Sequence, residues 1–243
     1  MTPAAVLVPD LLPTCAEALR AAEAFEAAAR RAVAGRVSRN GRVDAGLLER
    51  EQFAAHGFAW MATYVAALRQ LLRWAERLEA EGRLGELGRL ILQAGYGEYR
   101  PQLWGGLPKN QGETVRPDDL GMAEADILAF HVPAVQLLAA RGNSNAARMA
   151  IAGLIRDASA TGNFGALGLG DETLEMVREQ FRRFAEERVL PEAHGWHLRD
   201  ELIPMDVVEQ MSAMGVFGLT VPEEFGGHGL GKVAMCVVTE ELS

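Results

Sequence analysis

The chain has 243 residues, and its 24 Lys and Arg against 33 Asp and Glu give a net charge of −9 at pH 7. Hydrophobic residues make up 49% and charged residues 23%, proportions typical of a folded globular protein rather than a disordered one. This length allows one large domain or two small ones. The acidic balance, without a basic stripe, argues against nucleic acid as a partner.

The sequence predicts no membrane span, no secretory signal and no metal site. The sequence has no apolar run of roughly 18 residues, the length of a membrane span. The N-terminus has no basic segment followed by an apolar core, so no secretory signal is predicted. Cys15 and Cys236 match no metal-binding or redox spacing, and no metal site is predicted. We therefore expect a soluble, reduced, cytoplasmic protein without a membrane partner.

The first predicted helix follows a possible N-terminal signal at Thr14. Glu17 stands three residues after Thr14, which predicts a capping box, and apolar residues then recur at helical spacing. Gly35 and the polar cluster at 38–41 predict the end of this helix.

A second, long helix is predicted from Asp44 as N-cap to about Glu81, unless Gly57 interrupts it. At 1.5 Å per residue it would be on the order of 50 Å long. Its apolar side chains trace one broad stripe that includes Trp60, Tyr64 and Leu68. Such a stripe must be covered by a bundle or by a partner subunit.

The remaining N-terminal segments predict further helices around an irregular stretch. A third helix is expected over residues 84–98, and residues 100–121 are too rich in Pro and Gly for a regular helix. Helix returns over 122–141, with a bend at Pro133, and over 143–160. Residues 1–160 therefore predict an all-α module of about five helices.

The glycine-rich, nearly uncharged segment 161–170 is predicted to be a linker between domains. Beyond it, Asp171 caps a helix that Pro191 is expected to stop. The expected loop after this helix holds His194, Trp196 and His197. The region from 171 to 243 is predicted to be a second domain.

The second domain continues with a short helix opened by Pro204 and ended by Gly215. Residues 216–231 predict an apolar extended run followed by a glycine-rich turn. A last helix begins near Lys232 and is still running at Ser243. Because this helix has no C-terminal cap, we expect that the chain is cut short at Ser243.

Two patterns invite a catalytic or binding interpretation without completing one. The cluster GGHGLG at 226–231 lacks the spacing and the second strand of a dinucleotide-binding fingerprint, which favours a simple turn. His194 and His197 are three residues apart, but Pro191 and Gly195 disfavour a helical metal pair. These histidines are therefore interpreted as loop or core residues.

The acidic doublet Glu240–Glu241 is interpreted as part of a solvated face, because adjacent residues point in different directions on a helix. Trp104, with flanking glycines and the basic Arg100 and Lys109, suggests an exposed binding loop. The alternative, which we favour, is a structured connector between helices. The residues alone thus show no complete active site.

Three consecutive stretches resemble the N-terminal helical domain of the acyl-CoA dehydrogenase family. They are TLEMVREQFRRFAEERVLPEAHGWHLRDELI, PMDVVEQMSAMGVFGLTVPEEFGG and GLGKVAMCVVTEELS, in that order. The first is similar to the opening helix with its "FAEE…P" motif, and the second to the "G…GL…PEE-aromatic-GG" segment. The third resembles the helix that continues into the rest of that domain. Residues 171–243 are therefore identified as an incomplete copy of it.

The segment GYGEYRPQLWGGLPKNQGETVRPDDLGM, residues 95–122, is similar to part of the N-terminal extension that methylsuccinyl-CoA dehydrogenases carry. Its pattern "GG-x-P…Q-x-E…RP-x-DLG" carries this resemblance. The expected fold is all-α: a helical bundle extension (1–160), the linker (161–170) and part of an acyl-CoA dehydrogenase N-terminal domain (171–243). We expect the extension to cover the dehydrogenase core or a dimer contact, and a contribution to the substrate entrance stays open.

The resemblance implies α,β-dehydrogenation of an acyl-CoA thioester, with a glutamate as base and FAD as hydride acceptor. It also implies an electron-transfer flavoprotein as partner and a homo-oligomer, such as a homodimer. In this family the base and most flavin contacts come from later domains, so both are expected beyond Ser243. Glu240 and Glu241 are accordingly excluded as the base, and no catalytic or cofactor-binding residue is assigned.

Two hypotheses follow from these observations. The first is a flavoenzyme acting on (2S)-methylsuccinyl-CoA, or within that class an oxidase or a dehydrogenase for another short or branched acyl-CoA. It predicts an apolar surface on residues 171–243 that later domains cover. The second is a free-standing helical interaction or dimerisation module without activity. It predicts an oligomer that buries the stripe around Trp60, Tyr64 and Leu68.

Overall fold

The computed structural model describes residues 6–160 and 162–243. Two parts of the chain lie outside the described residues. One is 1–5, where no secretory signal is predicted, and the other is Thr161, the first residue of the predicted linker. The chain divides into two compact units that meet between Gly168 and Leu169. This division falls inside the predicted linker, and the limits of the three predicted segments stay a prediction. We describe each unit by itself.

Unit 1 consists of seven helices and two short hairpins in its described part. The helices are α1 (Leu11–Val37), α2 (Ala45–Arg50), α3 (Gln52–Ala80), α4 (Glu86–Gly105), α5 (Glu124–Ala129), α6 (Pro133–Arg141) and α7 (Asn145–Ser159). The antiparallel strands are β1 (Ser38–Arg39) with β2 (Arg42–Val43), and β3 (Leu107–Asn110) with β4 (Glu113–Val115). The all-α prediction is confirmed, because the strands form only these small hairpins.

The core of unit 1 lies among α1, α3, α4 and α6, which pack against one another. Each long helix contributes buried apolar residues at helical spacing, and Phe25 of α1 stacks on Phe130 with ring centroids 4.7 Å apart. Leu68, in the middle of α3, is 3% exposed. The stripe on α3 is therefore covered largely within the unit itself.

The first two predicted segments are helical, but the start of the first and the continuity of the second differ from the prediction. α1 begins at Leu11, and the predicted capping box is wrong because the Thr14 hydroxyl donates to the Pro9 carbonyl instead. Asp44 caps α2 by accepting a hydrogen bond from Leu47 N–H. The predicted long helix breaks at Glu51, between α2 and α3, and Gly57 does not interrupt it.

The third helix is longer than predicted. α4 continues through Pro101 to Gly105, so the expectation of no regular helix after residue 100 is wrong. The buried side chains of Tyr96 and Leu103 hold the helix on both sides of the proline, and this packing outweighs the lost hydrogen bond. Gly106 then ends the helix with φ at 133°, a value that favours glycine.

Unit 2 contains four helices: α8 (Glu172–Phe184), α9 (Leu190–Leu198), α10 (Met205–Ala213) and α11 (Gly231–Leu242). Asp171 caps α8 as predicted, by accepting from Thr173 N–H. Pro191 does not end the helical segment. A π turn at Ala185–Val189 connects α8 to α9, and the proline lies in the first turn of α9. The predicted loop carrying His194, Trp196 and His197 is therefore helical.

The segment between α10 and α11 differs from the predicted extended run. It forms two short 3-10 turns, Val216–Gly218 and Glu223–Phe225, and no strand lies in the described part of unit 2. Gly215 ends the preceding helix as predicted, with φ at 84°. A small core of Phe181, Leu219 and Val238 joins α8, this segment and α11.

Candidate functional site

Unit 2 presents many large apolar side chains to solvent. Those at least half exposed are Met176, Leu190, Leu198, Leu202, Ile203, Met205, Phe217, Phe225 and Val233. Leu202, for example, is 91% exposed. Exposed apolar side chains in this number are typical of a surface that contacts another domain or protein. Unit 2 therefore has exposed apolar side chains of the kind that the flavoenzyme hypothesis predicts, and their burial by later domains stays a prediction.

Glu241 is held between two arginines of α8. Its carboxylate accepts from Arg178 Nε at 2.7 Å and from Arg182 Nε at 3.0 Å, and its side chain is 9% exposed. The hydrogen bond to Glu241 raises the pKa of the Arg182 guanidinium above its usual value. The solvated-face interpretation holds for the exposed Glu240 and is wrong for Glu241, which ties α11 to α8.

The GGHGLG segment at 226–231 forms a turn, as the sequence favours. Gly226, Gly229 and Gly231 have φ between 61° and 81°, and the segment follows a 3-10 turn rather than a strand. The His228 ring packs on Gly215, where a Cβ atom would collide with its Nε2. These glycines thus serve a tight turn and not a phosphate-binding loop.

The paired histidines of α9, His194 and His197, are both exposed. Within residues 6–160 and 162–243, no group of three or more His, Cys, Asp or Glu side chains is placed to hold a metal ion. Among the helices of those same residues, none is long and apolar enough to cross a membrane. Burial raises the pKa of the Cys15 thiol to about 12, whereas Cys236 lies exposed on α11.

The suggested binding loop around Trp104 is separated by the structure into two places. Trp104 lies in the last turn of α4, where the Arg100 guanidinium is 5.1 Å from its ring centroid. Lys109 lies on β3 instead, and its side chain is 3% exposed. Its Nζ contacts Glu113 at 3.1 Å and lies 4.3 Å from the Phe53 ring centroid. Lys109 is therefore a structural residue of the hairpin.

Sequence reasoning did not connect His131 with Trp104, and the structure places the two rings in contact. The His131 ring meets the indole edge-on, with centroids 4.7 Å apart. Trp104 and His131 are 27 positions apart in the sequence, which corresponds to no helical or strand spacing, so no sequence signal connects them. The cluster of Arg100, Trp104 and His131 is the main polar and aromatic feature that the structure adds.

Comparison with known proteins assigns the class of unit 2. Residues 171–243 match the sequence model of the acyl-CoA dehydrogenase N-terminal domain. These residues are therefore similar to that domain.

The whole chain is similar to a particular member of the acyl-CoA dehydrogenase family. It is 54% identical over 237 residues to (2S)-methylsuccinyl-CoA dehydrogenase of Cereibacter sphaeroides. These aligned residues are 98% of this chain and 42% of that relative. Glutaryl-CoA dehydrogenase of Desulfococcus multivorans is 33% identical over 72 residues, which are 29% of this chain and 18% of that protein. Mitochondrial isovaleryl-CoA dehydrogenase of Solanum tuberosum is 38% identical over 77 residues, with 31% and 18% covered. The chain thus spans less than half the length of these relatives.

Proposed function

We propose that this chain is the N-terminal part of an FAD-dependent acyl-CoA dehydrogenase that converts (2S)-methylsuccinyl-CoA to mesaconyl-CoA. One observation carries the proposal: the 54% identity to the methylsuccinyl-CoA enzyme covers nearly the whole chain, and so includes unit 1. The relatives that act on glutaryl-CoA and isovaleryl-CoA match over 72 and 77 residues only. Unit 1 therefore favours this substrate over the other acyl-CoA esters.

In this proposal the chain supplies structure rather than reacting groups. Bound FAD would accept the substrate's β-hydrogen as hydride. The described surface of unit 2 is rich in exposed apolar side chains, and its most buried carboxylate, Glu241, is already engaged by two arginines. These features suit a domain contact and not a flavin cradle, so the catalytic base and the main flavin contacts are proposed to follow Ser243.

The proposal extends to the partners that the family implies. The acyl-CoA thioester is the substrate, an electron-transfer flavoprotein takes the electrons, and the enzyme is a homo-oligomer. Unit 1 would cover the dehydrogenase core or a dimer contact. Its helix α7 supports this role, because Met149 is 73% exposed and Ile155 is 43% exposed, while Ala147 is its one buried residue.

Burial of the apolar stripe within unit 1 argues against the alternative of a free-standing oligomeric module. That alternative needs a partner to cover the stripe around Trp60, Tyr64 and Leu68. Leu68 is buried inside unit 1, and the rings of Trp60 and Tyr64 contact each other edge-on with centroids 6.1 Å apart. Tyr64 also contacts Tyr99 of α4 at 4.7 Å. Since the unit already covers much of this stripe, no second copy is required to bury it.

The substrate is tested on the protein purified from its own organism. We expect its flavin absorbance to bleach on addition of (2S)-methylsuccinyl-CoA under anaerobic conditions. Isovaleryl-CoA, glutaryl-CoA and butyryl-CoA serve as matched thioesters, and we expect them to bleach it at least about tenfold more slowly, a difference of about 1.4 kcal/mol in transition-state stabilisation.

Faster bleaching by one of the comparison esters would overturn the substrate assignment while leaving the family intact. Persistence of the reduced flavin on admission of air, until an electron-transfer flavoprotein is added, is expected for a dehydrogenase; rapid reoxidation by oxygen would indicate an oxidase instead. The isolated 243-residue chain is expected to bind no FAD. Stoichiometric FAD binding by that chain would contradict the placement of the flavin contacts beyond Ser243.

A further inference from the structure

The predicted linker follows a defined path in the part that the structure describes, residues 162–170. Each of its glycines has a positive φ, between 64° and 109°: Gly162, Gly165, Gly168 and Gly170. This backbone conformation favours glycine over residues that carry a Cβ atom. The Asn163 side chain also accepts a hydrogen bond from Gly165 N–H at 3.1 Å. The glycines therefore specify turns along this segment, whereas a glycine-rich composition alone predicts a flexible coil.

The end of this segment is held on α3 by two side chains. The Trp74 indole Nε1–H donates to the Leu167 carbonyl at 3.0 Å, and Arg77 Nη2 donates to the Gly168 carbonyl at 3.4 Å. The two donors lie three positions apart on α3, so they share one face of that helix. Their partners are 93 and 91 positions away in the sequence. These bonds are therefore tertiary contacts that fix two successive carbonyls of the segment.

Packing holds the segment at the same place. Gly168 is buried, and a Cβ atom built on it would stand 3.1 Å from Leu78 Cδ2 and 3.6 Å from Trp74 Cδ1. Glycine thus lets the backbone lie directly on α3. Ala166 packs against the main core of unit 1, and residues 164–166 form one wall of a cavity whose other walls include α3, α4 and α7. Hydrogen bonds and apolar contacts therefore act together on this short stretch.

We propose that residues 163–168 form a strap that Trp74 latches to α3, and that this latch sets the length of free chain between the two units. Asp171 caps α8, so Leu169 and Gly170 are the two residues between the latched strap and that helix. Opening the latch adds the six residues of the strap to this connection. At about 3.5 Å per residue, its greatest length then rises from about 7 Å to about 28 Å. The strap is therefore a conformational device and not a passive tether.

Backbone order parameters from ¹⁵N relaxation of the 243-residue chain test the strap in the wild type. Unit 1 has its own apolar core, so the strap and its docking surface are both contained in this chain. We expect order parameters of about 0.8 or more for the amides of Ala166, Leu167 and Gly168, because a latched backbone moves little on the picosecond to nanosecond timescale. Values below about 0.6, typical of a flexible tether, would overturn the strap.

The latch itself is tested by the rate of chymotrypsin cleavage after Phe164 and Leu167, with the fragments identified by mass. Cleavage requires the strap to leave α3, so its rate follows the population of the open strap. Trp74→Phe keeps an aromatic ring and loses the donor to Leu167, and we expect cleavage to be about fivefold faster. The control is Trp60→Phe, which removes an indole donor bound to His56 on the same helix and should leave the cleavage rate unchanged.

A second pair of variants leaves α3 unchanged. Gly168 and Gly170 have nearly the same φ, 64° and 66°, but a Cβ atom on Gly168 contacts Leu78 whereas one on Gly170 has no described atom within 4 Å. Gly168→Ala is expected to speed cleavage about tenfold, because alanine is strained in the latched conformation and relaxes when the strap opens. Gly170→Ala lies beyond the latch and should leave the rate unchanged. Equal rates in wild type, Trp74→Phe and Gly168→Ala, or equal acceleration by both glycine substitutions, would overturn the latch.

Discussion

Replacing Gly97 with alanine is expected to destabilise unit 1 by about 3 kcal/mol, because the new methyl group has no space. Gly97 lies where α4 passes the turn between α6 and α7. A Cβ atom built on it would stand 2.5 Å from the Asn143 nitrogen and 2.9 Å from both the Gly142 carbonyl carbon and the Leu138 oxygen. These are backbone atoms, so relief requires the helices to separate. Urea unfolding followed by circular dichroism measures the loss.

The matched control is Gly153→Ala on α7. A Cβ atom built on Gly153 has no atom within 4 Å, so the added methyl group causes no collision. The only expected effect is that alanine has a higher helix propensity than glycine. It is expected to stabilise unit 1 by about 0.5–1 kcal/mol. Because the chain has two units, hydrogen exchange in peptides of α4 and α7 assigns each change to unit 1. Equal small effects of both substitutions would show that the crossing is looser than described.

Glu241→Gln is the second substitution for which a large effect is expected. The change removes the charge that pairs Arg178 and Arg182 of α8, and it turns two oxygen acceptors into one. Breaking a buried pair costs about 3–5 kcal/mol, and we expect about 2 kcal/mol because the arginines are partly exposed. Their side chains are 26% and 37% exposed. Hydrogen exchange of α8 and α11 peptides should accelerate together.

Glu240→Gln is the control for this charge change. Glu240 is the exposed neighbour in the same turn of α11, and its side chain makes no ion pair within the described chain. Its substitution should alter the free energy of unfolding by less than about 0.5 kcal/mol. If both glutamine variants exchange at the same rate as wild type, Glu241 does not hold α11 on α8.

Local signals predicted the positions of most helices well. Asp44 and Asp171 were both expected to cap helices and do so, because a short acidic side chain satisfies the free N–H groups of the first turn. Pro101 and Pro191 were both expected to prevent or end a helix, and both predictions are wrong for a common reason. Pro101 is tolerated because buried residues on both sides hold α4, and Pro191 because the preceding π turn places it in the first turn of α9. Both effects depend on geometry that single-residue preferences do not contain.

The candidate sites were less accessible to sequence reasoning. Trp104 and Arg100 are one helical turn apart, so their contact follows once α4 is known to continue past Pro101. His131 reaches the same indole through the packing of another segment, and no spacing announces it. The partners of Glu241 are likewise 59 and 63 positions away. Contacts across such separations are set by tertiary packing, which a single sequence does not reveal.

Native mass spectrometry of the protein from its own organism tests whether this chain forms the first part of a flavoenzyme. One spectrum reports the length of the polypeptide and the FAD bound to it. We expect a polypeptide more than twice as long as 243 residues, in proportion to the similar methylsuccinyl-CoA dehydrogenase, with one FAD per subunit. A polypeptide of 243 residues without flavin would contradict it.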